Sequence, residues 1–320
     1  MTIAARTDLR FGRVALAAPV GLTYRAITDV AVDGHGHLHV LTRGCGVVVV
    51  HDVRGHYLRT YGQFVHAHGL VIDAAGDVHV VDEGAHRVVT FAPDGSERGS
   101  LGTGEPSDSG CDWSRPTYKE KYLSIIRGAG PFNRPTAVAI AADGSRYVTD
   151  GYGNSRVHHF APDGHLIRSW GEPGSAPGEF RLPHGICVLP GGDVLVADRE
   201  NDRLQRFSPT GAHLSSWDGL QRPAKPILTS SGRVVVGELA RPVGDYSFAS
   251  GEITEALAPR ISVFDLDGTL VARETIPPRP NGEPSSPHGL AEGIDGTIYA
   301  GELVTPGGPP VTSLVTMTIT

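Results

Sequence analysis

Three histidines, His68, His184 and His288, stand at one repeated offset in the chain, and three imidazoles brought together are a ligand set for a divalent metal. Six turn glycines recur along the sequence: Gly36, Gly76, Gly144, Gly192, Gly232 and Gly296. The residue eight places before each is Thr28, His68, Thr136, His184, Ala224 and His288, so histidine falls in every second repeat. Three neutral nitrogen donors with a fourth position left for water or substrate make a catalytic zinc site. Zinc, or another divalent ion, is therefore expected on these three residues. The alternative is that each imidazole only hydrogen-bonds backbone, and with 15 histidines in the chain some regularity can be accidental. A single offset shared by all three favours the metal. His66 is a rival ligand, because period-2 alternation puts it on the same side as His68, but it is off the repeat. His35, His37 and His39 straddle a turn and are expected to be solvated.

Seven residues after the same glycines the chain has Arg43, Glu83, Gly151, Arg199, Leu239 and Leu303. Arginine appears in repeats one and four only. Two guanidiniums aimed at a metal would repel it unless an anion lies between them, which implies a ligand bearing a carboxylate held bidentately. Ion pairing between repeats is the alternative for both. Tyr152 follows Gly151 in repeat three, and a phenol beside a metal and two cations gives up its proton more readily, making it a candidate base. Packing against a channel is the alternative there. One place earlier stand Thr42, Asp82, Asp150, Asp198, Glu238 and Glu302. A carboxylate in five of six repeats reads as structural, tying neighbouring repeats together.

The elements that would position these residues are short strands. An apolar alternating run, a Gly turn, a second run and a closing aromatic recur, most clearly in Pro135–Phe160, Pro183–Phe207 and His68–Phe91. Weaker copies begin near Thr28, Ala224 and His288. Turns such as Pro93-Asp94-Gly95 and Pro162-Asp163-Gly164 follow the clear copies, so each repeat reads as a four-stranded antiparallel meander. Six such units close radially, giving an all-β, six-bladed β-propeller. Alternate blades of a six-fold ring lie about 120° apart, with the innermost strands beside the axis, so the three histidines converge. Phe11 to Ala18 is a candidate strand to complete blade six from the other chain end. Thr103 to Gly130 is too long for a hairpin turn, and its Trp113, Tyr118, Tyr122 and Leu123-Ser124-Ile125-Ile126 suggest a short helix or flap between blades two and three.

At 320 residues, one domain spanning 1–320 accommodates all six blades. A net charge of −7 and a pI near 6.1 exclude a nucleic-acid or anionic-membrane surface, both of which require a basic footprint. Cys45, Cys111 and Cys187 are too few and too scattered for a disulfide framework. The N-terminal Met-Thr-Ile-Ala-Ala-Arg-Thr-Asp has no basic region followed by an apolar core, so a cytoplasmic protein is expected. Oligomeric state is not legible in the sequence.

From Thr28 to about Ala300 the chain resembles the peptidyl-α-hydroxyglycine α-amidating lyases within the NHL-repeat propellers. The resemblance rests on Tyr147-Val148-Thr149 leading into Asp150-Gly151-Tyr152, on Ala197-Asp198-Arg199-Glu200-Asn201-Asp202-Arg203, and on Pro183-His184 and Pro287-His288. It implies zinc on His68, His184 and His288, active-site arginines at Arg43 and Arg199, and a catalytic tyrosine at Tyr152. The implied reaction has the tyrosinate take the substrate's hydroxyl proton while the metal stabilises the developing charge; the amide nitrogen leaves, and the arginines hold the carboxylate that departs as glyoxylate. Three positions depart from the family pattern. Ser286 replaces a methionine of the pocket wall, and Gly153 replaces a cysteine. The family's calcium uses a carboxylate directly after the last histidine with the carbonyls of Val30 and Leu70, but Gly289 stands there, so one calcium ligand is missing. The resemblance implies a metal-dependent lyase acting on a hydroxylated, carboxylate-bearing substrate, and these departures with the inserted loop point to a small molecule rather than a peptide. A propeller hydrolase such as a lactonase, and a non-catalytic NHL-repeat scaffold, are the competing readings. The histidines favour either enzyme over the scaffold, and Tyr152 with the arginines favours the lyase over the hydrolase.

Overall fold

A computed structural model describes residues 7–303 and 308–320, so most of the N-terminal segment read above for targeting lies outside it. Six four-stranded antiparallel sheets are arranged as the blades of a propeller. The innermost strands are Ala26–Val32, Ala67–Ile72, Pro135–Ile140, Pro183–Val188, Pro223–Leu228 and Ser286–Glu292. All six aligned positions from Thr28 to His288 therefore lie on the strand nearest the axis. Each turn glycine follows the innermost strand at a positive φ, between 79° and 92°, a conformation that a side chain disfavours. That constraint is why glycine marks the repeat so faithfully. In blades one and two the first turn residue, Asp33 or Asp73, accepts backbone N–H groups two and four residues ahead at 2.9 Å, locking the hairpin.

Blade six is closed by Leu9–Ala15, which pairs antiparallel with Ser313–Ile319 from Leu9 opposite Ile319 to Ala15 opposite Ser313. The closing strand begins two residues before the expected span and stops at Ala15. Blades adhere through their faces: Leu41 and Val48 of blade one pack with Leu70, Val80 and Phe91 of blade two, all buried. The recurring carboxylates are fully buried and hold the crossovers between blades. Asp82 accepts from the N–H of Val65 and His66, Asp150 from Asn133, Asp198 from Arg181 and Glu238 from Gln221, each in the segment that enters its own blade.

One expectation fails. His39 is not solvated; it is 2% exposed, hydrogen-bonded to the Tyr61 hydroxyl at 2.8 Å and to Asp33 at 3.3 Å, because it points back into the blade from the second strand. His35 is exposed and His37 half-buried, as expected for a turn. The three cysteines are free. Among the described residues no helix is long and apolar enough to cross a membrane.

Between blades two and three a helix, α1 (Tyr118–Ser124), interrupts the insertion. Thr117 caps its first turn by accepting from Glu120 N at 3.2 Å, while the Glu120 carboxylate accepts from Thr117 N at 3.0 Å. A second insertion lies in blade five, where a small hairpin (Tyr246–Ser247 with Gly251–Glu252) separates the second and third strands.

Candidate metal centre and active site

The ring centroids of His68, His184 and His288 are 4.7–4.8 Å apart and the rings stand nearly perpendicular to one another, at 76–86°. The three side chains are about 2% exposed or less. In each, Nδ1 faces the backbone of the next blade: His68 donates to the Thr136 carbonyl (2.7 Å), His184 to Ala224 (2.8 Å) and His288 to Thr28 (2.6 Å). A carbonyl can only accept, so the proton of each neutral ring is on Nδ1, and Nε2 is the nitrogen whose lone pair could bind a metal. One nitrogen from each ring can be chosen so that the three lie within 4.8 Å of one another. Burial, then His288 and Arg43, holds His68 well below the ordinary imidazole range; burial, then Arg199, does the same for His184. Burial and Arg43 bring His288 to about 3. All three are neutral at pH 7, as metal ligands must be.

The donor set fits a three-nitrogen divalent site. His288 Nε2 is buried without a hydrogen-bond partner, and so is Nε of Arg43, whose charge acts on His68 and His288. An orphaned buried polar atom costs about 1–3 kcal/mol, so the unpartnered His288 Nε2 marks a place where something else could bind.

Tyr152 is brought to the same point. Its hydroxyl lies 3.0 Å from His68 Nε2 and 3.5 Å from His184 Nε2, and it accepts from Arg199 Nη1 at 3.3 Å. The turn that carries it has no room for side chains on either flank: a Cβ at Gly151 would overlap the Pro183 carbonyl, and one at Gly153 would overlap Asn133. Gly153 thus has a steric reason to be glycine. Asp150 fixes the turn by accepting from Asn133 N and Asn154 Nδ2.

Arg199 is held on three sides. Nε donates to Glu200 (2.9 Å), Nη1 to Tyr152, and Nη2 to the Tyr122 hydroxyl of α1 (3.3 Å). Burial alone would depress its pKa, but Tyr152, Glu200 and Tyr122 outweigh burial and raise it. Burial pushes the Glu200 carboxyl up, yet Arg222, Arg199 and Arg241 together bring it to about 2. Glu200 is thus the anion that orients the arginine. Arg43 ends the second strand of blade one and contacts none of Tyr152, Glu200 or Tyr122; its link to the centre is its charge. His66 does not join the centre, being paired with Glu83.

The flap residues Trp113 and Tyr122 were read from the sequence without a contact to Tyr152, and Phe248 and the role of Glu200 were not read at all. Tyr122, with Trp113, packs on Tyr152 and Leu182, and Phe248 joins them from the blade-five hairpin, so both insertions cover the centre. Glu200 sits directly after Arg199. The blade-five insertion had a signal, since Glu238 and Arg260 pair in register as Asp198 and Arg203 do, but across a much longer stretch. The Ser286 hydroxyl accepts from Ala240 N at 3.0 Å. Gly289, where the resemblance implies a calcium-binding carboxylate, lies against the Asp29 carboxylate, which a side chain there would overlap.

Residues 180–207 match the NHL repeat family model. The chain is 30% identical over 318 residues to peptidyl-alpha-hydroxyglycine alpha-amidating lyase 2 of Drosophila melanogaster, covering 88% of this chain and 70% of that protein. It is 29% identical over 276 residues to peptidyl-glycine alpha-amidating monooxygenase A of Xenopus laevis, covering 80% of this chain but 26% of that much longer protein. Among solved structures, a streptogramin B lyase superposes with a TM-score of 0.60 at 14% identity over 98% of both chains, a likeness of fold. With the propeller and these relatives together, the chain belongs to the peptidyl-α-hydroxyglycine α-amidating lyase-like family of NHL-repeat β-propellers.

Proposed function

We propose that the protein is a metal-dependent lyase that breaks the C–N bond of a carbinolamide, an N-acyl-α-hydroxyglycine, releasing a primary amide and glyoxylate. The observation that carries this reading is the Tyr152 hydroxyl, 3.0 Å from His68 Nε2 and 3.3 Å from Arg199. When bound on His68, His184 and His288, a divalent ion, with zinc suiting the donors, supplies Lewis-acid polarisation of the substrate's hydroxyl oxygen. Tyr152, as its anion, takes the hydroxyl proton; the C–O bond becomes a carbonyl as the C–N bond breaks; the proton ends on the departing amide nitrogen. Arg199, pre-positioned by Glu200, holds the substrate carboxylate together with Arg43. A lactonase activates water and has no use for a phenol in this contact, and a scaffold has no use for three buried imidazoles at its axis.

The aromatic cover supports a compact acyl group over an extended peptide. Trp113, Tyr122 and Phe248 pack with Tyr152 and Leu182, an aromatic cover that leaves a compact acyl group within reach of the centre. The test is glyoxylate release from α-hydroxyhippurate by protein loaded with zinc. Absence of glyoxylate from this and from longer α-hydroxyglycine-extended peptides would sink the lyase reading.

A further inference from the structure

The residues one place after the aligned histidine position form a second ring beside the first: Asp29, Gly69, Ala137, Gly185, Lys225 and Gly289. Four are Gly or Ala, and the two charged members meet. Lys225 Nζ lies 2.7 and 2.8 Å from the two Asp29 oxygens and 3.2 Å from the Leu70 carbonyl. Asp29 also accepts from Val30 N at 2.9 Å and Leu70 N at 2.8 Å, so its carboxylate is saturated. The side chains are 4% and 14% exposed. The pair lies directly behind the metal centre: a void of about 10 Å³ is lined by Asp29, Lys225 and the three histidines. On its other side Lys225 lines a funnel of about 440 Å³ with Val30 and Leu70.

We infer that Lys225 is a built-in cation of the propeller axis, standing where the lyase resemblance implies calcium. The Leu70 carbonyl, one of the implied calcium ligands, accepts from the ammonium. Asp29 of the adjoining blade supplies a carboxylate beside position 289, and its presence there excludes any side chain at Gly289. One covalently attached charge thus does what a dissociable ion would do, neutralising a buried carboxylate and joining blades one, two and five across the axis. The chain consequently holds its fold without calcium.

The experiment uses the full chain, freed of calcium by dialysis without a chelator so that metal on the histidines is untouched. Thermal unfolding is followed as calcium chloride is added, and bound calcium is counted by elemental analysis. The expected result is no calcium retained and an unchanged Tm. Lys225→Met leaves Asp29 buried and uncompensated and should lower Tm by about 6–10 °C, whereas Asp29→Asn combined with Lys225→Met, which removes both charges, should recover most of the loss. Stoichiometric calcium in the wild-type protein, or a Tm that climbs by several degrees with calcium, would overturn the inference even if Lys225→Met failed to fold. A Lys225→Met protein as stable as wild type would overturn it as well.

Discussion

Acidification should unfold the metal-free protein, in part through His288. Its pKa in the fold is about 3, depressed first by burial and then by Arg43. In the unfolded chain an imidazole titrates near 6.5. Between these values the unfolded state binds a proton and the native state does not, so stability is full above about pH 6.5 and is lost as pH falls towards 3. From pH 7 to pH 5 this one residue removes about 2 kcal/mol. His68 and His184 shift in the same direction and add to the loss. The assay is urea unfolding at a series of pH values, comparing wild type with His288→Gln, whose amide can still donate to the Thr28 carbonyl. Below pH 6 the variant's stability should fall less steeply, by up to about 1.4 kcal/mol per pH unit. Parallel pH profiles for the two proteins would refute a neutral, buried His288.

Purified protein should hold one divalent metal per chain by elemental analysis, and His184→Ala should lose it, because two ligands seldom retain what three hold. Tyr152→Phe keeps the ring and its packing but removes the base; turnover of α-hydroxyhippurate should drop by about 10²–10⁴ with the metal retained. Arg199→Gln should raise KM by roughly 10- to 100-fold with a smaller change in kcat, since it removes a charged hydrogen bond to the carboxylate. Tyr122→Phe, which frees one Arg199 nitrogen without opening the aromatic cover, should show the same pattern to a lesser degree.

The six blades and the axial histidines were legible because two demands coincide on the same strands. A turn with positive φ requires glycine, and a strand start beside the axis fixes what lies eight residues before it, so the repeat could be aligned residue by residue. Tyr152 and Arg199 were legible for the same reason. What surrounds them was not. Tyr122 and Phe248 come from insertions that obey no repeat, and their approach to Tyr152 depends on how α1 and the blade-five hairpin fold over the ring. His39 was misread because alternation was judged from its neighbours in the turn, whereas it belongs to the strand that follows. The Asp29–Lys225 pair was within reach of the blade comparison, one column beyond the histidines, and went unread because it joins blades one and five through space.

Each axial histidine leans on the blade that follows it, and the last of them leans on the first blade: the bond from His288 to the Thr28 carbonyl links residues 260 positions apart. The seam of the ring therefore runs through the candidate metal centre. A nascent chain cannot place His288 in its final orientation until blade one has met blade six. On the proposed function, metal binding would in this sense be a checkpoint for a finished circle, and a chain truncated within the last blade should release no glyoxylate even with five blades correctly folded.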